Sequence, residues 1–437
     1  MRALAGSVLV TAIAAVLLLP VAAQATNGYF THGVSLRAKG MGGASIAYPQ
    51  DALAAGTNPA GMALVGERLD VGVDLFRPDR GSAISGNLNP PVNMTYDANS
   101  ERDFFMPEFG YSRSLGENLT LGLSIYGHGG MNTSYTSPIP LFDARGESAQ
   151  NAGVDLAQMF IVPSVAMKLN EDHAIGLGVN VVWQRFKAEG LWNFTATDTL
   201  GNPLYSSAPD KLTDNGYDSA TGFGVRAGWI GRLGEMLTVG ASYQSRTYMG
   251  EFEEYAGLFA EGGDFDIPSN YGLGIALVPI DGLVLAADVT QILYSEINSV
   301  ANPLLPNLAT SPLGTEEGAG FGWEDVTVFK VGVAYDVTPE LTLRGGYNYG
   351  AQPIPASETL FNMIAPGVVE HHATFGATYA VSRGVELTFA YMHAFENTVE
   401  GEESIVPGMP DMGGMGGGEA DLTMSEDSFG LGLGVLF

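Results

Sequence analysis

The chain has 437 residues, with 48 Asp and Glu against 19 Lys and Arg, a formal net charge of −29, and no cysteine. That balance excludes nucleic acid as a partner, because phosphate binding needs clustered cations, and the missing thiols exclude disulfides and thiolate metal sites. With 59 glycines, 21 Phe and 18 Tyr and no αβ alternation, the composition points to one large β structure. Closing it into a barrel would supply the stability that small exported domains take from disulfides.

Residues 1–25 read as an export signal: Met1-Arg2, an apolar run over 8–19, Pro20, then Ala23-Gln24-Ala25 as a small-x-small cleavage pattern. The mature chain is expected to start at Thr26. The apolar run is too short for a membrane-spanning helix, and no later stretch reaches the roughly 18 to 20 residues one needs.

Next come Ser35-Leu36-Arg37-Ala38-Lys39-Gly40-Met41-Gly42-Gly43-Ala44, Pro49-Gln50-Asp51-Ala52-Leu53-Ala54 and Asn58-Pro59-Ala60-Gly61-Met62. Asn58 is a good N-cap and Pro59 a good first helical residue, so 49–53 and 59–65 are expected as short helices. Together these segments resemble the N-terminal hatch of the FadL/TodX family of outer-membrane transporters for fatty acids and hydrocarbons, closely over 26–62. The resemblance implies an all-β fold, a 14-stranded antiparallel transmembrane barrel over 69–437, with residues 26–68 as a hatch that plugs the lumen and carries Asn58, Pro59 and Ala60.

The rest of the chain supports that expectation independently. Apolar and small or polar residues alternate with period two over 69–76, 104–114, 119–127, 158–168, 173–187, 219–232, 237–249, 267–278, 282–295, 325–337, 341–349, 371–381, 385–396 and 427–437. These fourteen segments are joined alternately by six turns of three or four residues and by seven connections of about 17 to 31, the layout of short periplasmic turns and long extracellular loops. Lipid penalises charge, so Arg344, Asn348, Lys330, Gly332 and Ala334 should face the lumen, and Leu343, Tyr347, Phe329, Val331 and Val333 the lipid. Trp183, Trp229, Tyr243 and Tyr335 suit interfacial girdles. A strand alternating up to Phe437 resembles the terminus by which outer-membrane assembly machinery recognises its clients.

Several motifs have weak alternatives. Gly222-Phe223-Gly224 lies inside a strand with no helix after it, so it cannot cradle a pyrophosphate. The six histidines show no ligand spacing beyond His371-His372, which point to opposite faces, so no metal, cofactor or catalytic residue is expected. The acidic clusters at 251–266 and 400–427 read as solvated loops or as divalent-cation bridges to an anionic lipid surface. The Met-Gly tract over 409–418 reads as a flexible segment or a soft apolar lure. Gly127-His128-Gly129-Gly130 either begins a loop or permits a strand kink; the resemblance implies such a kink in the third strand, opening a lateral gap at Gly127, Gly129 and Gly130.

The expected function is passive uptake of a fatty acid or hydrocarbon by a monomer set among outer-membrane lipid and lipopolysaccharide. A docking groove would use loop residues Ile139, Leu141, Phe142, Leu258, Phe259, Leu304 and Leu305. Phe30 of the hatch would touch ligand, and Arg226, Arg246, Lys330 or Arg344 would anchor a carboxylate unless they pair with inward Asp70, Asp74, Glu108, Asp288 and Glu386. A general diffusion porin and a barrel-anchored adhesin or receptor remain as rival readings.

Overall fold

A computed structural model describes residues 26–408 and 415–437. The export-signal reading (1–25) and residues 409–414 of the Met-Gly tract lie outside the described residues.

Fourteen strands form the wall: β1 (Arg68–Ser85), β2 (Phe104–Ser114), β3 (Leu119–Ser134), β4 (Gly153–Lys168), β5 (His173–Glu189), β6 (Asp218–Leu233), β7 (Leu237–Gln244), β8 (Asn270–Ile280), β9 (Leu283–Ile292), β10 (Val326–Thr338), β11 (Leu341–Gly350), β12 (His371–Ser382), β13 (Val385–Val399) and β14 (Glu419–Leu436). Each pairs with the next in antiparallel order. β14 closes on β1 from Arg68↔Leu436 to Ser85↔Glu419, so the first and last strands leave no edge where a second chain could pair. Two further short strands hang on this wall: Thr95–Asp97 on β1 and Tyr248–Met249 on β6.

The alternation follows from the two solvents that the wall separates. On β10, Phe329, Val331 and Val333 are exposed outward while Val328 and Ala334 are buried inside. Four of the six periplasmic turns bend at Gly116, Gly234, Gly282 and Gly384, all with positive φ, a conformation that costs glycine least.

Several strands outrun their apolar alternation. β1 extends to Ser85 and β14 starts at Glu419, because beyond the bilayer the outward positions turn polar, at Arg77, Asp79, Ser425 and Thr423, while the hydrogen-bond ladder runs on. β3 likewise continues past residue 127 to Ser134. β7 ends early, at Gln244.

Residues 26–67 fill the lower lumen. They contain one helical turn, Leu36–Lys39, and two 3-10 turns, Ala54–Gly56 and Pro59–Ala63. The helix expected over 49–53 is a turn instead: Asp51 Oδ1 accepts from Leu53 N at 3.0 Å, and Ala52 N donates to Asp70 of the wall at 2.9 Å, so local and wall partners take the groups a helix would use. Wall glycines let this segment lie flat. Gly346 and Gly332 face Met41 and Gly176 faces Pro59 and Ala60, each with no room for a Cβ, while Gly376 faces Gly40 where a Cβ would be tight. Above the hatch, the long loops fold into a dome whose buried apolar side chains, including Phe142, Phe194, Leu258, Phe259, Leu304, Leu308 and Phe361, form one continuous cluster with Tyr29, Phe30 and Leu53 of the hatch.

Candidate functional site

The inward acids expected to pair with wall cations mostly meet the hatch. Asp288 accepts from Ser45 N at 2.7 Å and Ile46 N at 2.9 Å. Glu108 accepts from Leu36 N at 3.1 Å. Asp74 pairs with Lys39, and Glu386 with Arg37 at 2.5 Å. Asp70 holds both Ala52 N and the Arg68 guanidinium. Such charge-assisted bonds between buried groups are the strong kind. Asn58 completes the seam: its Oδ1 caps the turn by accepting from Ala60 N at 3.1 Å, while its Nδ2 donates to Ile46 O at 2.8 Å and to Trp229 O of the wall at 3.1 Å.

The four candidate cations divide. Lys330 donates to His32 O at 3.0 Å, Arg226 to Gly56 O, and Arg344 to Gln50 Oε1 at 2.7 Å. Arg246 sits in a loop between Asp266 at 2.6 Å and Asp264 at 3.4 Å. Lys330 and Arg344 do not converge, because the register sets Lys330 against Asn348 and Arg344 against Ala334. Arg226 and Lys330 do line one small cavity, of about 70 Å³, with Phe30, Val34, Ile46, His128, Ile292 and Val328. Neither has a carboxylate ion-pair partner among the described residues. Beside it the His32 ring is fully buried, and that burial, with Lys39, His372 and Lys330 nearby, holds it well below the usual histidine range.

The wall is interrupted next to this cavity. β3 pairs with β2 only from Ser114↔Thr120 to Glu108↔Tyr126, although β2 continues against β1 to Phe104 and β3 continues against β4 to Ser134. On the β4 side the register shifts between Gly127 and Gly129, a bulge that bends β3 away from β2. The hatch takes up the released edge: Phe30 bridges Gly129, Thr31 N donates to His128 O at 2.9 Å, and Gly130 N donates to Tyr29 O at 3.1 Å. Only glycine fits at 129, since a Cβ there would meet the Tyr29 backbone. The Phe30 ring packs edge-on against His128 at 4.4 Å.

A second cavity, of about 600 Å³, opens among the extracellular loops, lined by Leu88, Pro90, Leu141, Trp192, Leu204, Tyr205 and Met415 among others. Of the residues expected to line a groove, Leu141 does so. Phe142, Leu258 and Phe259 do not; they are 0 to 2% exposed within the dome core, because loops this long bury their largest apolar side chains against one another. Three of the lining residues missed in sequence share a signal. Leu88, Trp192 and Leu204 each lie within two residues of an Asn; Asn193 bonds Pro140 O and Leu141 O at 3.0 Å, tying down backbone while its apolar neighbour Trp192 stays out.

Comparison with known proteins adds the following. Residues 17–434 match the model of a family described as outer membrane protein transport protein (OMPP1/FadL/TodX). No curated protein matches in sequence. Among solved structures, the toluene transporter TodX of P. putida is 18% identical, covers 93% of this chain and 99% of its own, and superposes with a TM-score of 0.69. A Pseudomonas aeruginosa FadL homologue is 17% identical, with the same coverage and a TM-score of 0.67. The Ralstonia pickettii toluene transporter TbuX is 18% identical, again with 93% and 99% coverage, at 0.64. At these identities the likeness is one of fold.

Proposed function

We propose, for a chain that belongs to the OMPP1/FadL/TodX family of outer membrane transport proteins, that it takes up long-chain fatty acids or hydrocarbons and releases them sideways through the wall at β3. The family is one of transporters, and the barrel sits in the outer membrane. The observation that carries the finer reading is the interrupted β2–β3 ladder, with Phe30 of the hatch bridged to the edge it leaves free.

The physical steps follow. A hydrophobic solute leaves water for the loop groove, gaining about 25 cal/mol for each Å² of apolar surface buried. Below it, the lumen cavity of about 70 Å³ is far smaller than the groove of about 600 Å³, so onward passage requires the hatch to shift. If Tyr29 and Phe30 withdraw from the β3 edge, the lumen meets lipid at the gap, and an apolar ligand runs downhill with no energy source.

For an acidic ligand, Arg226 and Lys330 are the favoured anchor, since Arg226 is buried and Lys330 half-buried beside apolar lining without a carboxylate partner, and a carboxylate would supply what they lack. Fatty acid and hydrocarbon are separated by replacing both with Met and measuring uptake of each. Loss confined to the acid is expected. Equal loss of both assigns the cations to hatch docking alone, and ligand extracted from the purified protein and identified by mass spectrometry names the natural substrate.

A further inference from the structure

The dome packs on the hatch around Tyr29. The Tyr29 ring is fully buried and packed against Phe265 at 5.9 Å, Tyr294 at 5.3 Å, Trp323 at 5.8 Å and its neighbour Phe30 at 5.3 Å. Phe265, Tyr294 and Trp323 all come from extracellular loops. The Tyr294 hydroxyl also donates to Asn27 O at 2.6 Å, so the loops hold the hatch by ring contact and by hydrogen bond.

A second line of contact ties the same loop to the bulge. Gln158 stands opposite Gly129 across the β3–β4 ladder. Its Nε2 donates to Gln184 Oε1 at 3.1 Å, and Gln184 Nε2 donates to Phe265 O at 3.1 Å. Both glutamines are fully buried, where losing an amide hydrogen bond costs the full desolvation of the group left unpaired. Phe265 is therefore held from the wall beside the bulge while it packs on Tyr29, the neighbour of the Phe30 that bridges Gly129.

We infer that Phe265, Tyr294 and Trp323 are positioning residues for transport: they keep Tyr29 and Phe30 on the β3 edge, so a hydrophobic ligand that enters the dome and separates these rings releases the hatch from outside. This rests on the reading that Phe30 closes the gap. Phe259, buried in the dome, does not line the groove but packs on Phe265 at 4.8 Å, which joins it to the same set of rings.

The chain has no cysteine, so a single Val34→Cys reporter in the lumen cavity reads hatch opening by its alkylation rate, with no transported ligand present. Phe265→Ala should raise that rate by about threefold to tenfold, the scale of one aromatic pair, while Phe265→Leu, which keeps apolar bulk, should restore most of the protection. In a double-mutant cycle, Tyr29→Ala and Phe265→Ala should be non-additive, as contacting residues are. Retained heat-modifiable mobility on gels establishes that each variant still forms the barrel. Wild-type alkylation in Phe265→Ala, or strict additivity with Tyr29→Ala, overturns the inference. Because the assay contains no substrate, a failure of the transport reading, seen as no uptake by the unmutated protein, leaves this result standing on its own.

Discussion

The lower lumen and the extracellular dome close the same tube with opposite chemistries. Below, the hatch is fastened by carboxylates, guanidiniums and an ammonium: Asp74 to Lys39, Glu386 to Arg37, Asp288 to two backbone N–H groups. Above, the dome is held by rings and aliphatic chains, such as Phe186 against Phe259 at 4.7 Å and Phe321 against Phe361 at 5.1 Å. A hydrophobic solute cannot compete for the lower set of bonds but dissolves readily into the upper one. On the uptake proposed above, the lower set would act as a stop against water and ions, and the upper as a filter that admits what resembles its own core.

The comparison breaks most severely where a lower ion pair loses one partner. Asp74→Ala leaves the Lys39 ammonium buried and unpaired, a cost of about 3 to 5 kcal/mol. The hatch should become protease-sensitive within 26–67, and ion conductance in planar bilayers should rise, with the barrel intact. A silent conductance trace would show that the remaining bonds suffice.

A smaller effect is expected from Asn58→Ala, which removes the cap and both Nδ2 bonds. Cap loss costs about 0.5 to 2 kcal/mol. Uptake should change while membrane insertion does not, and unchanged uptake would confine Asn58 to a structural role.

The smallest effect sharpens the upper half. Burial first, then Asp266 beside it and Glu261 beyond, push the Asp264 carboxyl up to about 7 against the pull of Arg246. Its value in a freed loop is near the ordinary carboxylate range, about 3.9. The docked loop thus binds more protons than the freed one, so its stability is greatest in acid and is lost as pH climbs through about 7. Protection factors for hydrogen exchange over 250–267, taken relative to the base-catalysed intrinsic rate at each pH, should be larger at about pH 5 than at about pH 8, and Asp264→Asn should flatten the difference.

The wall was legible in the sequence because a bilayer enforces period two on every strand: the inward and outward sets of β10 and β11 follow from Lys330 and Arg344 alone. The Asn58 cap was legible because it is local, Oδ1 reaching only two residues along. The partners of the inward acids were not, since Ser45 and Asp288 lie 243 positions apart and no local pattern marks which carboxylate receives which N–H. The groove residues failed for another reason. Apolar character alone does not separate Phe142, which packs inward, from Trp192, which stays half exposed.

The flat seam between hatch and wall has one more consequence. At Gly176, Gly346 and Gly376 the closest approach is backbone against backbone, and at Gly332 the Met41 carbonyl and side chain both press on the wall. A methyl group at any of these positions leaves the strand ladder and the lipid-facing surface untouched, so the barrel would still assemble and insert. What it would lose is its stopper. Damage there would surface as a leaking cell envelope rather than as a missing protein, with the severity set by how far the hatch is pushed off the wall.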